Sequence, residues 1–159
     1  MRLAVLGTSN SIGPAGYVRG LTASGLFSAI DNYSLGASTT VAFPFSLSRF
    51  NPSSYDACIF DFAVNEEILL HNHPSAAIEI EARLLGVLEH FCDSNCLPIF
   101  LVLPSLFALA NKALARDLYI SFARKHGLPY FDGFQLLSRF REYAKLSEEA
   151  CFRDPDHII

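Results

Sequence analysis

Short apolar runs alternate with amphipathic stretches along the chain. They predict an α/β fold, a three-layer α/β/α sandwich around a mostly parallel five-stranded sheet. Three observations carry that expectation. Residues 97–103 are nearly all apolar, as in a central parallel strand covered on both faces. Ile80, Leu84, Val87, Leu88 and Phe91 share one stripe at helical spacing, with Glu79 and Arg83 paired i,i+4 on the other side. Strand and helix patterns then succeed one another five times, which calls for right-handed crossovers between parallel strands.

Residues 3–6 are an apolar run ended by Gly7 and followed by Thr-Ser-Asn-Ser, the pattern of a buried strand entering a loop. Pro14 suits the first turn of a helix that reaches about Ser24. Residues 29–35 form a weaker second strand ending at Gly36. Residues 57–63 form a third, with Cys-Ile-Phe-Asp-Phe at its centre and polar Asn65 and Glu66 beyond. A helix over 75–94 precedes the fourth strand. Leu114, Leu118 and Phe122 then repeat every four residues up to Gly127, a C-terminal cap. Residues 128–131 give a short fifth strand and 134–145 a last helix, ahead of an irregular acidic tail in which Glu148 and Glu149 are solvated. Phe43, Phe45, Phe50 and Tyr55 either join the core, the favoured reading, or line a substrate cleft.

At 159 residues the chain is sized for one domain, residues 1–159. With 51% of residues hydrophobic, 18% charged and 14 Phe, burial can offset chain entropy, so disorder is excluded and a phenylalanine-rich core is expected. A net charge of -4 and the lack of any basic run argue against a nucleic-acid surface and favour small molecules or proteins as partners. The apolar run before Gly7 is too short for a signal-peptide core. The stretch 97–110 is broken by Pro98, Pro104 and Ser105, so no membrane span is expected and the chain reads as soluble and cytoplasmic. The four cysteines are expected as reduced thiols, and Cys92 and Cys96, a helical turn apart, have no matching Cys/His pair to complete a zinc site.

In a parallel sheet, functional groups gather at the carboxyl ends of the strands. Thr8, Ser9, Asn10 and Ser11 after strand one, Gly36 and Ser38 after strand two, and Asn65 and Glu66 after strand three therefore share an edge. Acyl transfer from an ester needs a nucleophile, a base oriented by an acid, and donors for the developing oxyanion. Ser9, at a tight strand-to-helix turn, is the natural nucleophile. The Ser9 N–H, the Gly36 N–H and the Asn65 amide are the oxyanion donors. Asp154-Pro155-Asp156-His157 offers His157 as base and Asp154, three residues before it, as its orienter; Asp156 is expected to point away.

These blocks resemble the SGNH (GDSL) hydrolase family: Gly-Asp-Ser near the N-terminus, a glycine after strand two, Gly-x-Asn-Asp after strand three, and a C-terminal Asp-x-x-His. The matching stretches are Val5-Leu6-Gly7-Thr8-Ser9-Asn10-Ser11, Asn32-Tyr33-Ser34-Leu35-Gly36-Ala37-Ser38, residues 55–66 and residues 154–157, with Pro129-Tyr130-Phe131-Asp132 as the strand before the last family helix. The resemblance spans nearly the whole chain and implies the flavodoxin-like fold of that family. Thr8 stands in place of the usual aspartate, which braces the nucleophile loop in the family, Ala63 in place of a glycine, and Glu66 in place of an aspartate. These changes mark a divergent member and delete no catalytic atom.

Other polar residues have simpler readings. His71-Asn72-His73 falls in an extended loop with its rings on opposite sides. His90 lies beside Phe91 in a helix, and His126 suits a helix C-terminus. Asp61, a carboxylate within an apolar strand, must be paired or hydrogen-bonded and is expected to buttress the active-site edge without a catalytic role.

The reading is a serine esterase releasing a small acyl group, acetyl, from an alcohol such as a sugar hydroxyl, with no metal or organic cofactor. An O-acetyltransferase would use the same residues, and a carbohydrate- or protein-binding module would keep the fold without turnover. Only Ile158 and Ile159 follow His157, whereas family members generally continue further. The alternatives are a minimal domain, the N-terminal part of a longer polypeptide, or a partner surface covering that edge.

Overall fold

The computed structural model describes every residue except Ala15, Pro155, Asp156 and Ile159, so the expected orientation of Asp156 lies outside the described residues. Strands β1 (Arg2–Gly7), β2 (Ala29–Asn32), β3 (Ala57–Asp61), β4 (Leu97–Val102) and β5 (Tyr130–Asp132) form one parallel sheet in the order β2-β1-β3-β4-β5. The chain leaves β1 toward β2 and later crosses to β3 on the opposite side, which puts the topological switch point, the usual ligand crevice of such sheets, between β1 and β3.

Period-two alternation sends successive β1 side chains to opposite layers. Ala4 and Leu6 enter the larger core with Phe60, Phe100, Tyr119 and Phe122, whereas Leu3 and Val5 pack with Ala57 and the side chains of Tyr17, Val18 and Leu21. The larger core is phenylalanine-rich: the Phe60 and Phe100 ring centroids are 5.7 Å apart, and Phe100 and Phe122 meet edge to face at 5.9 Å. Helix α5 (Ala76–Phe91) buries Ile80, Leu84, Val87 and Phe91, the stripe read from its sequence. Helix α7 (Leu114–Lys125) ends as expected ahead of Gly127, whose φ of +66° is a conformation glycine adopts without a Cβ penalty.

Several expectations are corrected. Pro14 does not open a helix. The turn after β1 closes as α1 (Ser9–Ile12), capped by Gly13, and α2 (Tyr17–Ala23) starts only after Gly16, where a Cβ would run into the Asn10 carbonyl. Regular strand β2 ends at Asn32 rather than near residue 35, although Tyr33 N–H to Val5 O and Leu35 N–H to Gly7 O carry its hydrogen bonding along β1 as far as Leu35. Residues 106–110 add a short helix, α6 (Leu106–Ala110), capped by the Ser105 hydroxyl. Phe45, in α3 (Phe43–Leu47), is 74% exposed, while Phe43, Phe50 and Tyr55 are buried as expected. The last helix, α8 (Gly133–Ala144), is followed by an antiparallel hairpin, β6 (Phe152–Asp154) with β7 (His157–Ile158), in place of an irregular tail.

The largest departure is α4 (Ala63–Asn72), which replaces the expected loop around His71 and Asn72. Its inward face carries carboxylates as well as apolar groups: Glu66 and Glu67 are buried with Ala63, Val64 and Leu70, so no apolar stripe marks the helix. Glu67 is satisfied by the start of α7, accepting from Leu114 N–H at 2.7 Å and Ala115 N–H at 2.9 Å. A carboxylate there also complements the positive end of that helix. Replacing it orphans two backbone donors, one of them buried. Glu67→Ala is therefore expected to destabilise the fold by about 2 kcal/mol in urea unfolding, with Glu67→Gln, which keeps one acceptor, losing less.

Candidate active site

Ser9 is the first residue of α1, one residue beyond the end of β1 at Gly7, with Thr8 between them as the helix cap. Thr8 caps that turn in an extended conformation, its hydroxyl oxygen accepting from Asn10 N–H at 3.4 Å. In this position the Ser9 N–H has no intrahelical acceptor and is available to an anion at the helix start. From the far end of the chain, the β6–β7 hairpin brings His157 over the turn. Asp154 and His157 are register partners across the hairpin, which fixes the three-residue spacing as a facing pair. His157 Nδ1 lies 2.5 Å from Asp154 Oδ1, and His157 Nε2 lies 2.8 Å from Ser9 Oγ. A carboxylate facing Nδ1 favours the proton there, leaving Nε2 to accept from the Ser9 hydroxyl. The side chains of His157 and Asp154 are 23% and 40% exposed, so the pair is open to solvent and to a substrate.

The hairpin has its own anchors. Cys151 and Phe152 are buried with Leu137 of α8, against Leu106 and Leu109 of α6. Glu148, expected to be free in solvent, instead pairs with Arg141 of α8 at 2.6 Å.

The remaining site residues come together through Ser38. Its Oγ donates between Leu35 O at 2.6 Å and Gly7 O at 3.0 Å, and its carbonyl accepts from Asn65 Nδ2 at 2.8 Å. Gly7, two residues before Ser9, Leu35, the residue before Gly36, and Asn65 itself are thus tied to one buried serine. A carbonyl can only accept, so the nitrogen of the Asn65 amide must face it, and its second N–H remains for another acceptor. Gly36 is exposed, and Ala37 beside it has φ +53°, a left-handed conformation that costs a non-glycine residue about 1 kcal/mol. Sequence reasoning placed Ser38 on this edge but missed its linking role, which depends on a tertiary contact with no local signature.

Two buried carboxyls support this edge from below. Glu66 Oε1 accepts from Thr40 N–H at 3.0 Å and from Thr40 Oγ1 at 2.5 Å, and Oε2 accepts from Tyr119 OH. Burial pushes its carboxyl above the usual range, against the lowering effect of those bonds. Asp61, at the end of β3, is fully buried; its Oδ2 faces Ser11 Oγ at 3.0 Å and Thr8 Oγ1 at 3.5 Å, and its Oδ1 has no partner among the described residues. Burial pushes the Asp61 carboxyl up to about 8, outweighing the hydrogen bonds from Ser11 and Thr8.

Among the described residues no group of three His, Cys, Asp or Glu side chains is placed to hold a metal ion, and no helix is long and apolar enough to cross a membrane. Cys92 is exposed, Cys58, Cys96 and Cys151 are buried, and all four are free thiols.

No protein-family model and no curated protein sequence matches the chain. Solved structures do. An acetyl xylan esterase, AlAXEase, superposes with a TM-score of 0.77 at 13% identity, over 100% of this chain and 92% of that one. A lipolytic protein of the G-D-S-L family from Desulfitobacterium hafniense gives 0.73 at 13% identity, over 99% and 90% of the two chains. TesA gives 0.67 at 15% identity, over 100% and 89%. The chain thus has the flavodoxin-like α/β/α fold of the SGNH hydrolases, the family its sequence blocks resemble, at low sequence identity to these neighbours.

The Asp61 environment has a consequence for stability. Its carboxyl keeps a proton up to about pH 8 in the folded chain and loses it near pH 4 when unfolded, so between those values the native state binds more protons. Its contribution to stability is full below about pH 4, declines as pH rises, and is lost above the folded value. Thermal or urea unfolding across pH 5–7 is expected to show native stability falling relative to Asp61→Asn by on the order of 1 kcal/mol per pH unit.

Proposed function

We propose that the chain is a serine ester hydrolase in which Ser9 is the nucleophile, His157 the general base and acid, and Asp154 the group that orients the imidazole. The observation that carries this reading is the continuous hydrogen-bonded line from Ser9 Oγ through His157 Nε2 and Nδ1 to Asp154 Oδ1. As Ser9 Oγ attacks an acyl carbonyl, its proton passes to His157 Nε2, and Asp154 stabilises the imidazolium that forms. The carbonyl oxygen becomes an oxyanion, for which the Ser9 and Gly36 N–H groups and the Asn65 amide are the donors. Collapse of the tetrahedral intermediate breaks the ester C–O bond, and His157 returns the proton to the leaving alcohol. Water, deprotonated by the same imidazole, then releases the acid and restores Ser9. The nucleophile and both proton transfers are supplied by side chains, so the reaction calls for no metal or organic cofactor.

The substrate we favour is a small acyl ester, acetyl, on a carbohydrate hydroxyl. The fold likeness to an acetyl xylan esterase supports it, and a His157 side chain that is 23% exposed and an exposed Gly36 suit a hydrated alcohol.

Hydrolysis of p-nitrophenyl acetate by the native chain, Ser9→Ala, His157→Ala and Asp154→Asn tests the assignment. Losses in kcat on the order of 10⁴-fold are expected for the first two, with Asp154→Asn also strongly impaired. Equal rates for native and Ser9→Ala would sink it. A fluorophosphonate probe is expected to label the native chain and not Ser9→Ala. Release of free acetate from an acetylated xylan, with no acetyl transfer to added sugar, is the outcome that separates hydrolysis from acyl transfer.

A further inference from the structure

Asp61 takes no part in the proposed proton transfers, yet its carboxyl lies directly beneath the nucleophile turn. Its Oδ2 accepts from Ser11 Oγ at 3.0 Å and Thr8 Oγ1 at 3.5 Å. Thr8 immediately precedes Ser9 and Ser11 follows it by two residues, so one oxygen grips the turn on both sides of the nucleophile. All three side chains are buried, which makes these bonds costly to lose.

Gly7 makes this close approach possible. It is the register partner of Asp61, and a Cβ at position 7 would stand 2.9 Å from Asp61 Cβ and 2.5 Å from Ser11 Oγ. The turn is therefore pressed onto β3 with no side chain between them. Ser11 Oγ also lies 3.0 Å from Tyr17 OH; with its own proton given to Asp61, it accepts from the tyrosine. The Ser11 carbonyl accepts from Asn32 Nδ2 at 2.9 Å. These neighbours hold the back of the turn, while Asp61 ties the side chain of its cap, Thr8, to that of Ser11, beside the backbone bond from Ser11 N–H to Thr8 O at 3.1 Å.

We propose that Asp61 is a positioning residue: by accepting from Thr8 and Ser11 it sets the height and tilt of the first turn of α1, and so aims Ser9 Oγ at His157 Nε2. The role rests on the reading of Ser9 as nucleophile. It requires an acceptor oxygen, not a charge. A protonated carboxyl, the form that burial favours near neutral pH, still offers its carbonyl oxygen to two donors, and so does an amide. A near-attack geometry is sensitive to displacements of about 1 Å, which cost roughly 100-fold in rate.

The test compares p-nitrophenyl acetate kinetics of the native chain, Asp61→Asn and Asp61→Leu, with circular dichroism and thermal melts for each. The amide is expected to keep kcat within about threefold of native. The leucine is expected to lower kcat by 10–100-fold with KM changed by less than about threefold. A merely structural role would lower the melting temperature and leave kcat of the folded enzyme unmoved, which would overturn the proposal, as would an equal kcat loss in both variants or a loss confined to KM. The double variant Thr8→Val with Ser11→Ala removes the two donors and leaves the carboxyl in place. It is expected to reproduce the kcat loss and serves if the leucine variant does not fold; native kcat in it overturns the proposal. If Ser9→Ala itself turns over at the native rate, the nucleophile reading fails and the positioning role falls with it. An inactive Ser9→Ala beside fully active Asp61→Leu and Thr8→Val/Ser11→Ala refutes the positioning role alone.

Discussion

Glu66 is fully buried between the turn at Thr40, the start of α4 and the middle of α7, and the geometry of the sheet's functional edge depends on what it holds. A carboxylate out of water is costly unless its oxygens are occupied. Here an N–H and two hydroxyls occupy them, and each donor comes from a different stretch of chain or a different group within it. The consequence is mechanical: α4 cannot shift along the sheet without orphaning Thr40 and Tyr119, and Asn65, one residue before Glu66, is held with it. Ser38 then accepts from Asn65 through its carbonyl and donates through its hydroxyl to Gly7 O. Buried polar groups that must be satisfied, more than apolar packing, set where the loops after β1, β2 and β3 meet.

The same logic separates two kinds of carboxyl in one small molecule. Glu66 faces fixed N–H and hydroxyl donors and acts as a tie, and the buried Glu67 caps α7 through two backbone N–H groups with the His71 ring also 3.2 Å from it. Asp154 is two-fifths exposed and faces a titratable ring. A solvated carboxylate beside an imidazole can respond to the charge of its partner, whereas a buried one with saturated oxygens mainly preserves shape. On the proposed mechanism, the division gives proton traffic to the surface hairpin and rigidity to the layer beneath it.

What could be read from the sequence followed from how local each signal was. Strand β1 and helix α5 declare themselves by apolar spacing alone, and the pairing of Asp154 with His157 follows from a three-residue interval that a tight hairpin converts into a contact. Helix α4 was hidden because its buried face is partly acidic, and hydropathy patterns treat Glu66 and Glu67 as solvent-facing. Pro14 misled because an N1 preference says nothing about whether the preceding turn has already closed; the carbonyls of Ser9 and Gly13 accept from Gly13 and Gly16 before α2 begins. The linking role of Ser38 had no sequence signal, since its partners lie 31 and 27 residues away. The resemblance in the four blocks located the candidate site, while the support beneath it emerged only from tertiary contacts.

The contact between Ser9 and His157 joins residues 148 positions apart. Closing so long a loop carries an entropy cost that is repaid only after the intervening chain has become compact. Four of the five sheet strands, β2 to β5, and their crossover helices lie between the two residues, β1 ends just before Ser9, and the sheet pairs without either side chain. Assembly of the site is therefore a late event in folding, following completion of the sheet. During synthesis the turn that carries Ser9, the proposed nucleophile, emerges long before the hairpin that carries His157. On the proposed roles, reactivity of Ser9 would report on the whole chain's integrity: a polypeptide cut short before residue 154 retains every strand of the sheet and lacks His157, the proposed base.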